Sequence, residues 1–267
     1  MSAPGLFHDG DAIRRITREG VLILGGGAAS ILQTSHPGVA QGVNDHTYTF
    51  DAPLRRLIHT MEWLTAVHFG TRAEAELLSS YVGRMHDKVN GPGYDAQDPE
   101  LQVWVGATLF DVAARFHQAL FGRLSDAELE EFYQQTRIYA QILGAPAELQ
   151  PKDVGEFAVY YRERIAEFRL TDASRSVAYQ VLHPVAPWHR EPVLAAVRLL
   201  TAGLMPEPLR VQYGWDWSPA RQRRFLALVN LLRIVYPRLP MAVRTAPRDY
   251  FLTSLRRRLA RRPARPA

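Results

Sequence analysis

The chain has 267 residues, 47% of them hydrophobic and 22% charged, an ordinary globular balance with enough length to bury a large core. It contains no cysteine, which excludes disulfides, thiolate metal centres, cysteine nucleophiles and thiolate-ligated haem. The net charge of +5 belongs to one end: residues 241–267 hold eight arginines against the single acid Asp249, leaving −2 on the body and no basic face for nucleic acid.

In chain order, Asp9 and Asp11 open the sequence without the basic, apolar pattern of a secretory signal, and the expected location is cytoplasmic. Val21–Leu32 is apolar over about a dozen residues, too few for a bilayer, so no integral membrane segment is expected. Its run Gly25-Gly26-Gly27 resembles a phosphate loop, but Ser30 replaces the third glycine of the dinucleotide fingerprint and no βαβ units follow. A tight turn or a close helix contact is the better reading. His36-Pro37-Gly38 reads as a helix-ending turn.

Asp51-Ala52-Pro53 then caps a helix over Leu54–Phe69, closed by Gly70. Thr71, with Glu74 three residues on, opens a second helix expected to reach Asn90, where Asn90-Gly91-Pro92-Gly93 stops it. Asp98-Pro99-Glu100 starts a third through Phe121, and Ser125 a fourth ending at Gly144. Further helices are expected at 151–169, 172–182, 189–205, 217–235 and 246–262. Strand-like alternation is almost absent. The fold class is therefore all-α: a single globular domain of about eight to twelve helices over residues 1–262, with a seam at 145–151 and a basic tail at 263–267. The arginines of that end read as a solvated terminal helix and a frayed end, with contact to nucleic acid or anionic lipid as the alternative and a peripheral membrane association left open.

Two polar clusters interrupt the apolar patterns. At 3.6 residues per turn, Arg56, His59, Thr60, Trp63 and Val67 share an arc roughly 100° wide. His86 lies at the margin of a stripe of Leu78, Val82, Met85 and Val89, with Gly83 one turn before it. Burying such groups costs free energy unless something binds them. Several metal and hydrolase chemistries are excluded by pattern: there is no Glu-x-x-His pair, no His-Glu-x-x-His and no Gly-x-Ser-x-Gly. An imidazole beside a missing side chain suits a flat, iron-centred macrocycle. On that reading His86 is the metal ligand, and the helix with Arg56, His59 and Thr60 is the candidate opposite wall. The plainer alternative, that both histidines are hydrogen-bonded core residues, stays open. His36, His46 and His68 are read as structural or exposed, and His117, His183 and His189 receive no role.

The chain also resembles the haem-b oxygenases that include the rubber oxygenases (latex-clearing proteins) and the MpaB-type oxygenases. The resemblance rests on Leu32-Gln33-x-x-His36-Pro37-Gly38-Val39-Ala40, Arg56-Leu57-x-x-Thr60 and Phe69-Gly70-Thr71. It continues in His86-x-x-Val89-x-Gly91, Trp104-Val105-x-Ala107-Thr108-Leu109 and Leu200-Thr201-x-Gly203-Leu204-Met205-Pro206, and covers roughly residues 12–255. It implies an all-α fold, haem b held by His86, Arg56 and Thr60 as distal residues, and dioxygen as co-substrate. His59 stands where rubber oxygenases carry a lysine able to cap the iron. Gly106 stands where family members often have a histidine, and Gly83 where they often have an arginine, with Arg84 beside it as a substitute. The carboxylate proposed for rubber oxygenases has no clear counterpart, since Asp45 and Asp51 alone precede Arg56 at uncertain register.

The implied reaction is oxidation of an apolar, isoprenoid-, lipid- or secondary-metabolite-like substrate, with C=C cleavage as its extreme form and an electron donor as an open requirement. The catalytic set is Arg56, His59 and Thr60; the cofactor-binding set is His86, Arg56, Arg84, Gly83 and Trp63. The rival readings are a non-catalytic haem protein (carrier, gas sensor or electron-transfer module) and a cofactor-free helical protein that binds an apolar molecule.

Overall fold

The computed structural model describes residues 4–46, 52–185 and 187–260. Its helices are α1 (Ala12–Thr17), α2 (Gly26–Gln33), α3 (Pro37–Asp45), α4 (Ala52–Phe69), α5 (Arg72–His86), α6 (Pro99–Phe121), α7 (Asp126–Thr136), α8 (Ile138–Gln141), α9 (Val154–Glu167), α10 (Asp172–Leu182), α11 (Glu191–Leu204), α12 (Glu207–Gln212), α13 (Pro219–Val235) and α14 (Met241–Ala260). Among the described residues, the strands β1 (Asn90–Gly91) and β2 (Tyr94–Asp95) pair as a minimal antiparallel hairpin. The fold is all-α, as expected. The short helices α1, α3, α8 and α12 carry too few periodic residues to be read from sequence, and the expected fourth helix breaks at Arg137 into α7 and α8. The basic tail at 263–267 lies outside the described residues.

α6 is the central helix. Trp104 and Phe116 are fully buried on it, and an aromatic chain runs from Trp104 over Tyr161 and Phe157 to Phe110 and Phe132 at centroid spacings of 4.8–5.7 Å. Such edge and offset contacts add directional preference to the burial of large rings. α1 has no capping side chain of its own. Instead α7 supplies it: Ala12 N–H donates to Glu131 Oε1 (2.9 Å) and Ile13 N–H to Gln135 Oε1 (2.8 Å).

The triple glycine is a packing device, in line with the close-contact reading. A Cβ at Gly25 would stand 2.9 Å from Val112 of α6, one at Gly26 2.9 Å from Leu57 of α4, and one at Gly27 2.7 Å from the Thr201 hydroxyl of α11. The start of α2 is thus wedged among three helices that a larger residue would push apart.

α14 runs longer than expected, beginning at Met241 with Pro247 inside it. Arg256, Arg257 and Arg258 are exposed, as expected, yet several arginines of this helix also pair with acids far away in the chain. Arg244 pairs with Glu19, which is 2% exposed, through bonds of 2.8 and 2.6 Å. Arg256 reaches Glu74 (2.8 Å) and Arg258 reaches buried Glu62 (2.7 Å). These pairs join positions 182 to 225 residues apart in the chain, and sequence periodicity carries no trace of them. Among the described residues no single helix is long and apolar enough to cross a membrane. The pair Pro219–Arg238 and Met241–Ala260 has the length and composition only when taken together, across a 94° bend.

Candidate functional site

α4 and α5 form an antiparallel helical hairpin whose closed end is fixed in several ways. Thr71 and Glu74 make the expected capping box, with Thr71 Oγ1 accepting from Glu74 N–H (3.2 Å) and Glu74 Oε2 accepting from Thr71 N–H (2.7 Å). Arg72 N–H donates to the Pro4 carbonyl (3.0 Å), and Arg256 and Arg258 of α14 hold one carboxylate on each helix. Midway along, Trp63 Nε1 donates to Ser79 Oγ (2.9 Å), both residues being buried. That bond sets the register. Arg56 stands seven residues before Trp63, and His86 seven residues after Ser79. At 1.5 Å per residue each lies roughly 10 Å beyond the bond, toward the same open end of the hairpin. His59 and Gly83 fall at matching levels in between.

On α5 the buried arc differs from the expected stripe. Ala75 and Ser79 are buried, whereas Met85 is 59% exposed. Taking 100° per residue, Ala75, Ser79, Val82, Gly83 and His86 share roughly 100° of the helix, so His86 sits within the inward face and not at its margin. α5 also ends at His86, earlier than the expected Asn90. Val89 N–H turns back to the His86 carbonyl (2.8 Å), and Asn90-Gly91 enters the small hairpin.

His86 is half-buried, and its Nδ1 is buried without a partner. Among the described residues neither ring nitrogen makes a hydrogen bond. Burial holds its pKa below the ordinary value, the nearby Asp87 opposing only in part. The ring is therefore neutral near pH 7 and keeps a lone pair for a metal or a donor. One turn back, a Cβ placed on Gly83 would meet no atom within 4 Å. Helical side chains lean toward the N-terminus, so the imidazole overhangs this open space.

On α4, Arg56 and Thr60 are half-buried and Trp63 and Val67 buried, but His59 is exposed. The expected five-residue arc is thus divided along its length: its deeper turns enter the core and its first turns stand at the open end. Desolvation lowers the pKa of Arg56, and no carboxylate offsets it. Among the described residues its guanidinium makes no ion pair or hydrogen bond. Arg84 points elsewhere. It lies roughly 160° round α5 from His86, donates to Ser80 Oγ (3.1 Å) and stacks 4.4 Å from the Tyr81 ring centre.

The expectations for the remaining histidines and acids resolve individually. His36 lies in the turn that ends α2, as expected, and also starts the next helix: its Nδ1 accepts from Gly38 N–H (3.1 Å) at the head of α3, while its ring packs edge-on against Phe168. His68 is buried and bonded to the Tyr139 hydroxyl (2.8 Å), and burial, aided by Arg14, pushes its pKa down to about 3. Asp45 is held by Gln41 (2.7 Å) and by the Tyr94 hydroxyl (3.0 Å), whose hydrogen bonds lower its pKa in that order. Asp51 lies outside the described residues. Gly106 lines a small recess beside Tyr133 and Phe157. A larger recess, of about 410 Å³, is lined by Glu207, Arg210, Val211, Trp215, Trp217 and Gln222 and involves neither α4 nor α5.

The family model of the "ER-bound oxygenase mpaB/B'/Rubber oxygenase, catalytic domain" matches residues 13–234, most of the chain. The protein belongs to the MpaB/rubber oxygenase family. Two mycobacterial relatives, Rv2237 of Mycobacterium tuberculosis and Mb2261 of Mycobacterium bovis, are each 29% identical over 216 residues, 76% of this chain and 84% of theirs; both are named only as uncharacterized proteins. No solved structure matches. The stretches that carried the resemblance meet around α2. Trp104 Nε1 donates to the Gln33 carbonyl (3.2 Å), Thr201 fills the space that Gly27 leaves, and Leu57 the space at Gly26. Much of the MpaB/rubber oxygenase pattern is thus the joint that seats α2 among α6, α11 and α4.

Two parts of the candidate site escaped the sequence reading. Ser79 is a lone serine in an amphipathic helix, and only its bond to Trp63 gives it a role. Gln97 donates to the Gly83 carbonyl (3.2 Å) and to Asp87 Oδ1 (2.5 Å), pinning the last turn of α5 from a loop. The one available signal was an amide placed just beyond the Gly93 turn.

Proposed function

We propose that this member of the MpaB/rubber oxygenase family is a haem-b-dependent oxygenase of an apolar, isoprenoid-, lipid- or secondary-metabolite-like substrate, with dioxygen as co-substrate. The observation that carries the reading is His86: a neutral imidazole with no partner among the described residues, overhanging the open space at Gly83 and level with Arg56, which has none among them either. The donor set suits this cofactor. Among the described residues no three His, Asp or Glu side chains converge for a bare metal ion, whereas a porphyrin brings four of its iron's donors and asks the protein for one.

Bound there, the haem would supply activation of dioxygen and the redox chemistry of the oxidation. His86 would hold it through Nε2, leaving Nδ1 inside the protein. Arg56 would meet a propionate or donate to an oxygen atom, gaining back the solvation that burial removes. The Thr60 hydroxyl can give and accept a hydrogen bond on the same side. Trp63, fixed by Ser79, closes the deep end of the site and excludes water from it. Ile58 and the strongly exposed Met85 offer apolar surface at the open end, in keeping with an apolar substrate. The exposed His59 is free to cap or leave the site, and no observation favours the non-catalytic reading that a permanent cap would bring. C=C cleavage is the finest form of this reading, and an alkene substrate is its probe.

The test is the visible spectrum of His86→Ala and His59→Ala beside the unsubstituted protein. The Soret band should vanish in the first and persist in the second; a full haem complement in His86→Ala would overturn the assignment. Arg56→Ala and Thr60→Ala should keep haem yet lose turnover of an alkene, followed by oxygen consumption, by ~100-fold, the scale of a lost transition-state hydrogen-bond donor.

A further inference from the structure

α13 is apolar on two sides, and only one of them is used. Phe225, Leu228, Val229 and Leu232 face the core. The outward half carries exposed Leu226, Ile234 and Leu231, spread over roughly 140° of the helix, with exposed Val235 at its edge beside Leu228; Leu231 and Ile234 are each at 57%. The 94° corner that leads into α14 adds exposed Met241 and Val243 within the next eight residues. Large aliphatic side chains gathered on one outer face mark an interaction surface more often than scattered ones do.

Charge says what covers it. From Trp217 to Arg248 the sequence holds seven arginines and no acid. Arg244 and Arg248 are tied to Glu19 and Asp249, and Arg221 and Arg238 bond backbone carbonyls. Arg223, Arg224 and Arg233 make no bond among the described residues and stand among the exposed aliphatics. We infer that the outer face of α13 and its corner with α14 dock on an anionic lipid bilayer, aliphatic side chains entering the acyl boundary and arginines meeting the phosphates. A second copy of the chain fits poorly, because a two-fold contact would bring two arginine-rich faces together with only Asp216 and Asp249 at their margins to answer them. Nucleic acid would use the arginines but leave the aliphatics unburied. A membrane-spanning arrangement is excluded by the core: Val229 and Leu255 are buried in the protein, and the Arg244–Glu19 pair anchors α14 to it.

The experiment is co-sedimentation of the full chain with phosphatidylcholine vesicles, with and without phosphatidylglycerol. The protein should bind the anionic vesicles and weaken as salt rises. Each aliphatic CH₂ entering the boundary is worth about fourfold in affinity, so Leu231→Asn/Ile234→Asn should weaken binding at least ~10-fold. Each arginine at the surface is worth about fivefold, so Arg224→Gln/Arg233→Gln should lose roughly 25-fold together with most of the salt dependence. Both pairs are exposed, and an unchanged thermal melt certifies their fold. Three results would each overturn the inference: no binding to anionic vesicles; binding abolished by Arg261→Gln/Arg262→Gln/Arg265→Gln but kept in the aliphatic variant; or a dimer in solution that Leu231→Asn/Ile234→Asn dissociates. None depends on haem, so this result and that for His86 stand apart.

Discussion

Replacing Gly83 tests the candidate site without touching any polar group. The position lies inside α5, and a Cβ there meets nothing within 4 Å. Glycine in a helix costs about 0.5–1 kcal/mol relative to alanine, through the backbone entropy of the unfolded chain. Gly83→Ala should therefore raise the stability of the cofactor-free protein by that amount, about 1–4 °C in melting temperature for a domain of this size. Gly83→Leu has nearly the same helix propensity and the same open space, so it too should fold. It differs in reach. The His86 ring leans back over position 83, and an isobutyl group at that point would fill the slot that a flat macrocycle must enter. Gly83→Leu should then melt no lower than the unsubstituted protein yet take up haem at least ~10-fold more weakly, read as Soret absorbance per protein after reconstitution. Full haem uptake by Gly83→Leu would refute the proposed orientation of the cofactor. A clear fall in melting temperature for Gly83→Ala would refute the open space itself.

Other expectations follow from the packing. His68 has a pKa of about 3 in the folded protein against 6.5 unfolded, so its neutral form stabilises the fold above pH 6.5. That contribution is lost as pH falls toward 3, at about 1.4 kcal/mol per pH unit; urea midpoints between pH 6.5 and 4 should fall less steeply in His68→Gln, and parallel slopes would remove His68 as a cause. Arg258→Ala strands the buried Glu62 carboxylate and should cost about 1–3 kcal/mol, part of which Glu62→Gln should restore in a double-mutant cycle. Gly27→Ala drives a Cβ to 2.7 Å from the Thr201 hydroxyl and should cost about 1–3 kcal/mol; thermal melts should show Thr201→Ala recovering most of it, and independent effects would mean the two helices yield elsewhere.

Local rules made much of this fold legible. The capping box at Thr71, the helix starts at Ser125 and Pro99 and the near-absence of strand alternation all appear in the structure where the sequence implied them. At His36 the reading was half complete: α2 does end just before it, but its ring nitrogen also caps the next helix. What escaped the sequence was set by distant partners. Arg256 and Arg258 are exposed as read, yet they pair with Glu74 and Glu62, and Arg244 with Glu19, from the other end of the chain. The arc on α4 was right in angle but blind to depth: helical periodicity says which residues share a face, and nothing about how far along that face the core extends. His59 is exposed for that reason. On α5 the apolar stripe misled because the inward face is built of small residues, Ala75, Ser79 and Gly83, which a hydrophobicity count passes over.

Among the described residues, two imidazoles have a buried Nδ1 without a partner, His86 and His117, and the comparison between them shows what makes a site. His117 is stacked on Phe121 at 4.7 Å, and burial holds its pKa at about 4. It sits on the central helix, where its ring is filled in by neighbours and its neutrality is simply the cheapest way to bury it. His86 shares the depressed pKa but not the filling: the space one turn below it is open, and the hairpin end that carries it also brings Arg56, which has no counter-charge among the described residues. Asp87, next to His86 in sequence, is engaged by Gln97, and Asp45 by Gln41 and Tyr94. Among the described residues a lone pair and a cation thus stand at the same end of one hairpin. Stability alone gives no reason for that arrangement, whereas a ligand with a metal at its centre and acids at its rim would satisfy both groups at once.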